Sequence, residues 1–135
     1  MRYAGAIEAS TSLAADTSSA AAARRFTVDV LKQWGCGELV DTVTLLVSEL
    51  VTNAVLHARS ASRLVLRQTG GNLRVEIGDD SAATPTRRSY AADAGTGRGM
   101  MLVEALASRW GSDRVGDGKR VWFELPLPVP AERRS

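Results

Sequence analysis

The sequence predicts an α+β fold, a mixed sheet with its helices on one face. Three observations predict it. "SRLVLRQT" and "NLRVEIGD" alternate apolar and polar residues with period two about Gly70-Gly71, a hairpin signal. "SDRVGDGKRVWFELPLP" forms a second such pair, turning at Gly116–Gly118. Between and before them stand apolar stretches with helical spacing, so local hairpins and helices share one core.

The elements follow in chain order. "YAGAIEA" supplies a first strand, and a Ser or Asp of "STSLAADTSSAA" caps a helix through "AAARRFTVDVLKQW", stopped by Gly35 and Gly37. A second, greasier helix runs from "LVDTVTLLV" through "SELVTNAVLHA", about five turns long. The first hairpin comes next. Asp79 to Gly97 is a long, small and polar segment without periodicity, and a loop of that length inside a compact domain is usually functional. A short helix, "GMMLVEALASRW", ends at Gly111 and the second hairpin closes the fold. The chain reads as one domain over 1–135, with a strand and linker in 1–20 and a frayed tail in 129–135.

Composition narrows the function. Net charge is +2, and the arginine pairs Arg24-Arg25, Arg87-Arg88 and Arg133-Arg134 are scattered without interleaved aromatics, which argues against direct nucleic-acid binding. No apolar run reaches the ~18 residues of a membrane span, and no signal peptide opens the chain. The single cysteine, Cys36, excludes an intrachain disulfide framework, and a cytoplasmic location is expected.

The second helix poses a chemical question. At about 100° per residue, Val43, Leu46, Val47, Leu50, Val51 and Ala54 share one broad arc. Glu49, Asn53 and His57 share another, with Ser48 and Thr52 on its edge. A carboxylate and an amide on a mostly buried helix are costly without partners. The segment "GTGRGM" places Gly95, Gly97 and Gly99 at the mouth of the short helix, where backbone N–H groups and the helix dipole favour an anion; a plain hinge fits as well. Asp79 ends a strand in "VEIGDDS", where turn chemistry is the simpler reading. His57 suits the end of a helix, and one His with one Cys leaves no zinc cluster. Neither a dinucleotide fingerprint, which needs glycine where Met100 stands, nor a P-loop fits; no Gly-x-Ser-x-Gly elbow is present.

Taken in order, the chain has a helix with Glu-x-x-x-Asn, a strand ending in Asp, and a long loop leading through Gly-x-Gly-x-Gly into a helix. That order resembles the GHKL (histidine kinase-like) ATPase family, and most closely its small branch of anti-sigma-factor serine kinases. "LLVSELVTNAVLHA" resembles the branch's N box, "VEIGDDS" its adenine box, "GTGRGMMLVEALASRWG" its glycine box and "GKRVWFELPLP" its closing strand. The resemblance runs from about Ala22 to Pro128 and implies a two-layer α/β sandwich of the Bergerat type with a mostly antiparallel sheet.

The resemblance also implies roles. Asn53 would give an oxygen to Mg²⁺, and Glu49 would be the general base. Asp79 would accept from the adenine amine. Gly95, Gly97 and Gly99 would offer N–H groups to the phosphates of ATP or ADP, with Arg98 beside them and Ala83 to Asp93 as a lid. The implied partners are a sigma factor and an anti-anti-sigma (STAS-type) protein bearing the acceptor Ser, and the chain itself as a homodimer. The alternative is an ATP-binding interaction module with little or no kinase activity. Two positions depart from the pattern: Ser81 stands where the adenine box often has Gly, and Arg120 is expected in place of a Thr that contacts adenine.

Overall fold

A computed structural model describes residues 7–54, 61–79, 98–115 and 118–128 of the chain. Both hairpins form where the alternation places them. Strands β2 (Ser62–Thr69) and β3 (Asn72–Asp79) pair about Gly70 and Gly71, whose φ angles of 54° and 87° fall in the left-handed region that glycine tolerates. Strands β4 (Arg109–Val115) and β5 (Gly118–Pro126) make the second pair. Strand β1 (Ile7–Leu13) joins the outer edge of β2, and β5 inserts beside β3. The sheet order is β1-β2-β3-β5-β4, and all four ladders are antiparallel.

Among the described residues, three α-helices cover one face. Helix α1 (Ser19–Gln33) follows a turn in which the Asp16 carboxylate accepts from the Ser18 N–H at 2.8 Å. The N-cap residue Ser18 makes no side-chain cap bond, and the Asp16 carboxylate bonds only Ser18, so the Ser or Asp cap expected of this stretch does not form. A 3₁₀ turn (Gly37–Leu39) leads into α2 (Val40–Asn53), and α3 (Arg98–Leu106) precedes β4. The predicted apolar arc of α2 is buried: Val43, Leu46, Val47, Leu50 and Val51 pack onto Leu64, Leu66, Val75 and Phe123 of the sheet.

Two boundaries differ from expectation. The first strand begins no earlier than Ile7 among the described residues and runs to Leu13, past the predicted end at Ala9, because its whole length pairs with β2. The expected last turn of the second helix, including His57, falls outside the described residues. The short helix stops at Leu106 rather than Trp110. The Ser108 N–H donates to Glu124 O at 2.9 Å, and Arg109 and Trp110 pair with Glu124 and Phe123, so strand pairing takes over from the helical spacing.

The helix-free face of the sheet carries a ladder of charges. Arg67 donates to Glu8 at 2.9 Å and to Glu76 at 3.0 Å; Arg74 donates to Glu76 at 2.7 Å and to Glu124 at 3.0 Å. Arg109 and Arg120 complete it, 3.5 Å from Glu124 and 3.7 Å from Glu76. The Glu76 and Glu124 side chains are only 6% and 9% exposed although no helix among the described residues covers them; the arginine stems do. Trp122 sits among these groups with the guanidinium carbons of Arg74 and Arg109 at 4.0 Å and 5.7 Å from its ring centroid. Gly111 makes room for the indole, since a Cβ there would stand 2.8 Å from Trp122 Cζ2. Gly111→Ala is therefore expected to destabilise the fold by about 1–3 kcal/mol, read as a lower denaturant midpoint with unchanged slope. An unchanged midpoint would show that the indole can shift freely.

Candidate functional site

Topology brings the ends of separate elements together. Leu13, the last residue of β1, pairs with Ser62, the first of β2, which in turn pairs with Asp79, the last of β3. Helix α1 starts soon after Leu13, runs away from this end and returns as the antiparallel α2, so Asn53 lies back at the Leu13–Ser62–Asp79 end. Helix α3 is fixed from the opposite direction. Its C-terminus joins β4 at Arg109, next to Glu124 near the end of β5, and β5 ends beside Asn72, the start of β3. Its nine residues, Arg98–Leu106, rise about 13 Å from that junction.

Azimuth around α2 sorts its polar residues. Arg24 of α1 donates to Ser48 Oγ at 3.1 Å, so the Ser48 flank of α2 faces α1. Glu49 follows Ser48 by about 100° and Asn53 by about 140°, placing both on the flank away from α1. Helix α3 packs against α2, making α2 the middle helix. Glu49 and Asn53 are half-buried. The amide and carboxylate oxygens of this flank are hard donors of the type Mg²⁺ takes. Among the described residues no group of three or more His, Cys, Asp or Glu could hold a metal.

The sequence-predicted residues divide accordingly. Glu49, Asn53 and the backbone of Asp79 belong to elements that meet at one end of the sandwich, and Arg98 and Gly99 open α3. Gly95, Gly97, Ser81 and the expected lid, Ala83 to Asp93, fall outside the described residues. Arg120 changes place. It shares the parity of Trp122 and Glu124, faces the helix-free side and lies 3.7 Å from Glu76, so it does not occupy a base-contacting position on the helix-facing side. The β5 residue at this end with helix-facing parity is Lys119, half-buried and one step beyond the Gly78–Arg120 pair. Ser62, 2% exposed, stands opposite Asp79 on the other side. Sequence reading passed over both. The alternation of β5 about Val121, Phe123 and Leu125 was the signal for Lys119.

Comparison with known proteins agrees with this architecture. The histidine kinase-like ATPase domain family matches residues 13–125. Among solved structures, the RsbU and RsbW domains of Rv1364c from Mycobacterium tuberculosis superpose with a TM-score of 0.70 at 20% sequence identity. The match covers 93% of this chain and 34% of that one, so the chain spans about a third of its length. No curated protein matches the chain. No described helix is long and apolar enough to cross a membrane.

Proposed function

The chain belongs to the histidine kinase-like ATPase domain family, and on that premise we propose that it is an ATP-dependent serine kinase of the anti-sigma type, taking its acceptor hydroxyl from a partner protein. The observation that supports the reading is that α2's Glu49 and Asn53 return to the sheet end where β3 finishes at Asp79. The family implies ATP. The similarity to an RsbW domain supports the anti-sigma branch at the level of fold.

Each residue has a task in this reading. Asp79 accepts from the adenine amine, and the glycines Gly95, Gly97 and Gly99 with Arg98 hold the phosphates at the α3 N-terminus. Asn53 would hold Mg²⁺ through its amide oxygen, and the ion would neutralise phosphate charge. The acceptor Ser oxygen forms a bond to the γ-phosphorus as the bond to the β,γ-bridging oxygen breaks, and ADP leaves. Glu49 takes the hydroxyl proton. The acceptor belongs to an anti-anti-sigma protein, and a sigma factor is the partner held in the other regulatory state.

Calorimetry tests the nucleotide first. ATP with Mg²⁺ is expected to bind at least about 10-fold tighter than GTP, because guanine presents a carbonyl to Asp79 where adenine presents an amine. Equal affinities would refute the adenine assignment. Labelled ATP mixed with anti-anti-sigma proteins should then yield acid-stable phosphoserine. If a sigma or anti-anti-sigma protein binds without any label appearing, the chain is an ATP-binding interaction module and the kinase reading falls.

A further inference from the structure

One arginine of the helix-free face is unlike the rest. Arg67, Arg74, Arg109 and Arg120 each have a carboxylate at 3.7 Å or closer. Arg63, exposed near the start of β2, has no carboxylate partner among the described residues. Its two terminal nitrogens donate to hydroxyls instead, Nη1 to Ser12 Oγ at 3.4 Å and Nη2 to Ser10 Oγ at 3.2 Å. Both serines belong to β1, the last strand of the sheet, and Ser12 stands directly opposite Arg63.

The cluster is rich in donors and lacks an anion. Each serine oxygen accepts from the guanidinium and keeps its own O–H to donate, so the three side chains together present N–H and O–H groups with no carboxylate to answer them. A guanidinium fork matches the oxygens of a phosphate better than two neutral hydroxyls, and the bonds it makes to an anion are shorter and stronger. A phosphate ester on one of these serines would start within reach of that fork.

Position chooses between the two. Glu8 lies on the same face, two residues from Ser10 and four from Ser12. At about 3.3 Å per residue its charge is roughly 7 Å along the strand from Ser10 and 13 Å from Ser12, and only the second distance exceeds the ~8 Å screening length of physiological salt. Ser12 is also exposed, whereas Ser10 is half-buried.

We propose that Ser12 is a phosphoacceptor and that Arg63 is the cation that receives its phosphate, tying the end of β1 to β2. The source of the phosphate rests on the serine-kinase reading above. Ser12 faces the helix-free side and Glu49 belongs to a helix on the other, so one copy of the chain acts on another. Ser12 Oγ forms a bond to the γ-phosphorus of ATP as the bond to the β,γ-bridging oxygen breaks; ADP leaves, and the hydroxyl proton passes to Glu49 of the second copy. The ester carries close to two negative charges at neutral pH, which the guanidinium meets.

The test incubates the full chain with labelled ATP and Mg²⁺ and maps the label by mass spectrometry. Acid-stable phosphoserine is expected at Ser12, lost in Ser12→Ala and kept in Ser10→Ala, with an initial rate per chain that rises with protein concentration. A chain made with phosphoserine incorporated at position 12 tests the receiving site without any kinase step. Its denaturant midpoint should lie above that of the unmodified chain at low salt, and the gain should vanish at high salt and in Arg63→Gln. If a partner protein is labelled while Ser12 is not, the proposal is wrong and the kinase reading stands. A midpoint that phosphoserine lowers, or shifts equally with and without Arg63, also overturns it. If the chain labels neither itself nor an added acceptor protein, the kinase reading falls and self-phosphorylation falls with it.

Discussion

Glu49→Ala is expected to lower phosphoryl transfer by about 10²–10⁴-fold, the loss typical of a general base, while ATP binding stays within about twofold. The two effects separate because Glu49 stands one helical turn before Asn53 on the same flank of α2. Asn53→Ala should do the reverse at the binding step, weakening Mg²⁺-dependent nucleotide affinity because a metal ligand is gone. Both side chains are half-buried on a helix whose apolar arc is untouched by either change, so the denaturant midpoints should move little. Single-turnover labelling beside calorimetry reads both quantities. A Glu49→Ala protein that transfers phosphate at the wild-type rate would make this carboxylate structural and leave the site without a base.

Glu76→Ala is expected to cost about 2–4 kcal/mol of stability, because it strips the shared counter-charge from Arg67, Arg74 and Arg120. The figure lies below that of a fully buried pair because the three arginine side chains keep 21–38% exposure and water takes up part of the loss. Acid should mimic the substitution. Burial pushes the Glu76 carboxyl up, but the Arg74 hydrogen bond and the charges of Arg67, Arg120 and Arg74 outweigh it and hold the group below the ordinary carboxylate range. A carboxyl depressed on folding stabilises above its unfolded pKa, about 4.5, and that contribution drains away as pH falls through the lower folded value. Wild-type stability should therefore fall faster than that of Glu76→Ala as pH drops below about 4.5. Parallel curves would mean that the arginines find equal partners without Glu76.

Both hairpins, the second helix and its buried arc are legible in the sequence because each is written in residues a few positions apart. The helix-to-strand boundary near Trp110 is not. Leu102, Leu106 and Trp110 keep a four-residue spacing that continues a helix, and only pairing with Glu124 and Phe123, more than a dozen residues on, converts Arg109–Val115 into a strand. The face that Arg120 takes was not legible for a related reason. A strand's two faces differ by one residue, and which face meets the helices is settled by the register with β3. Glu49, Asn53 and Asp79 stood out as polar interruptions in apolar or strand-ending contexts. Ser62 did not, because a serine at a strand start is unremarkable until Asp79 lies opposite it.

The arginine-roofed sheet has a thermal consequence. Withdrawing Glu76 and Glu124 from water is costly at 25 °C, but the hydration of charged groups becomes less favourable as temperature rises, whereas the apolar contribution per unit area levels off. The network's share of the total therefore grows on heating. Cold is its weak season: near room temperature the helix-covered face holds the molecule together, and toward the melting point the uncovered face carries a rising part of the load.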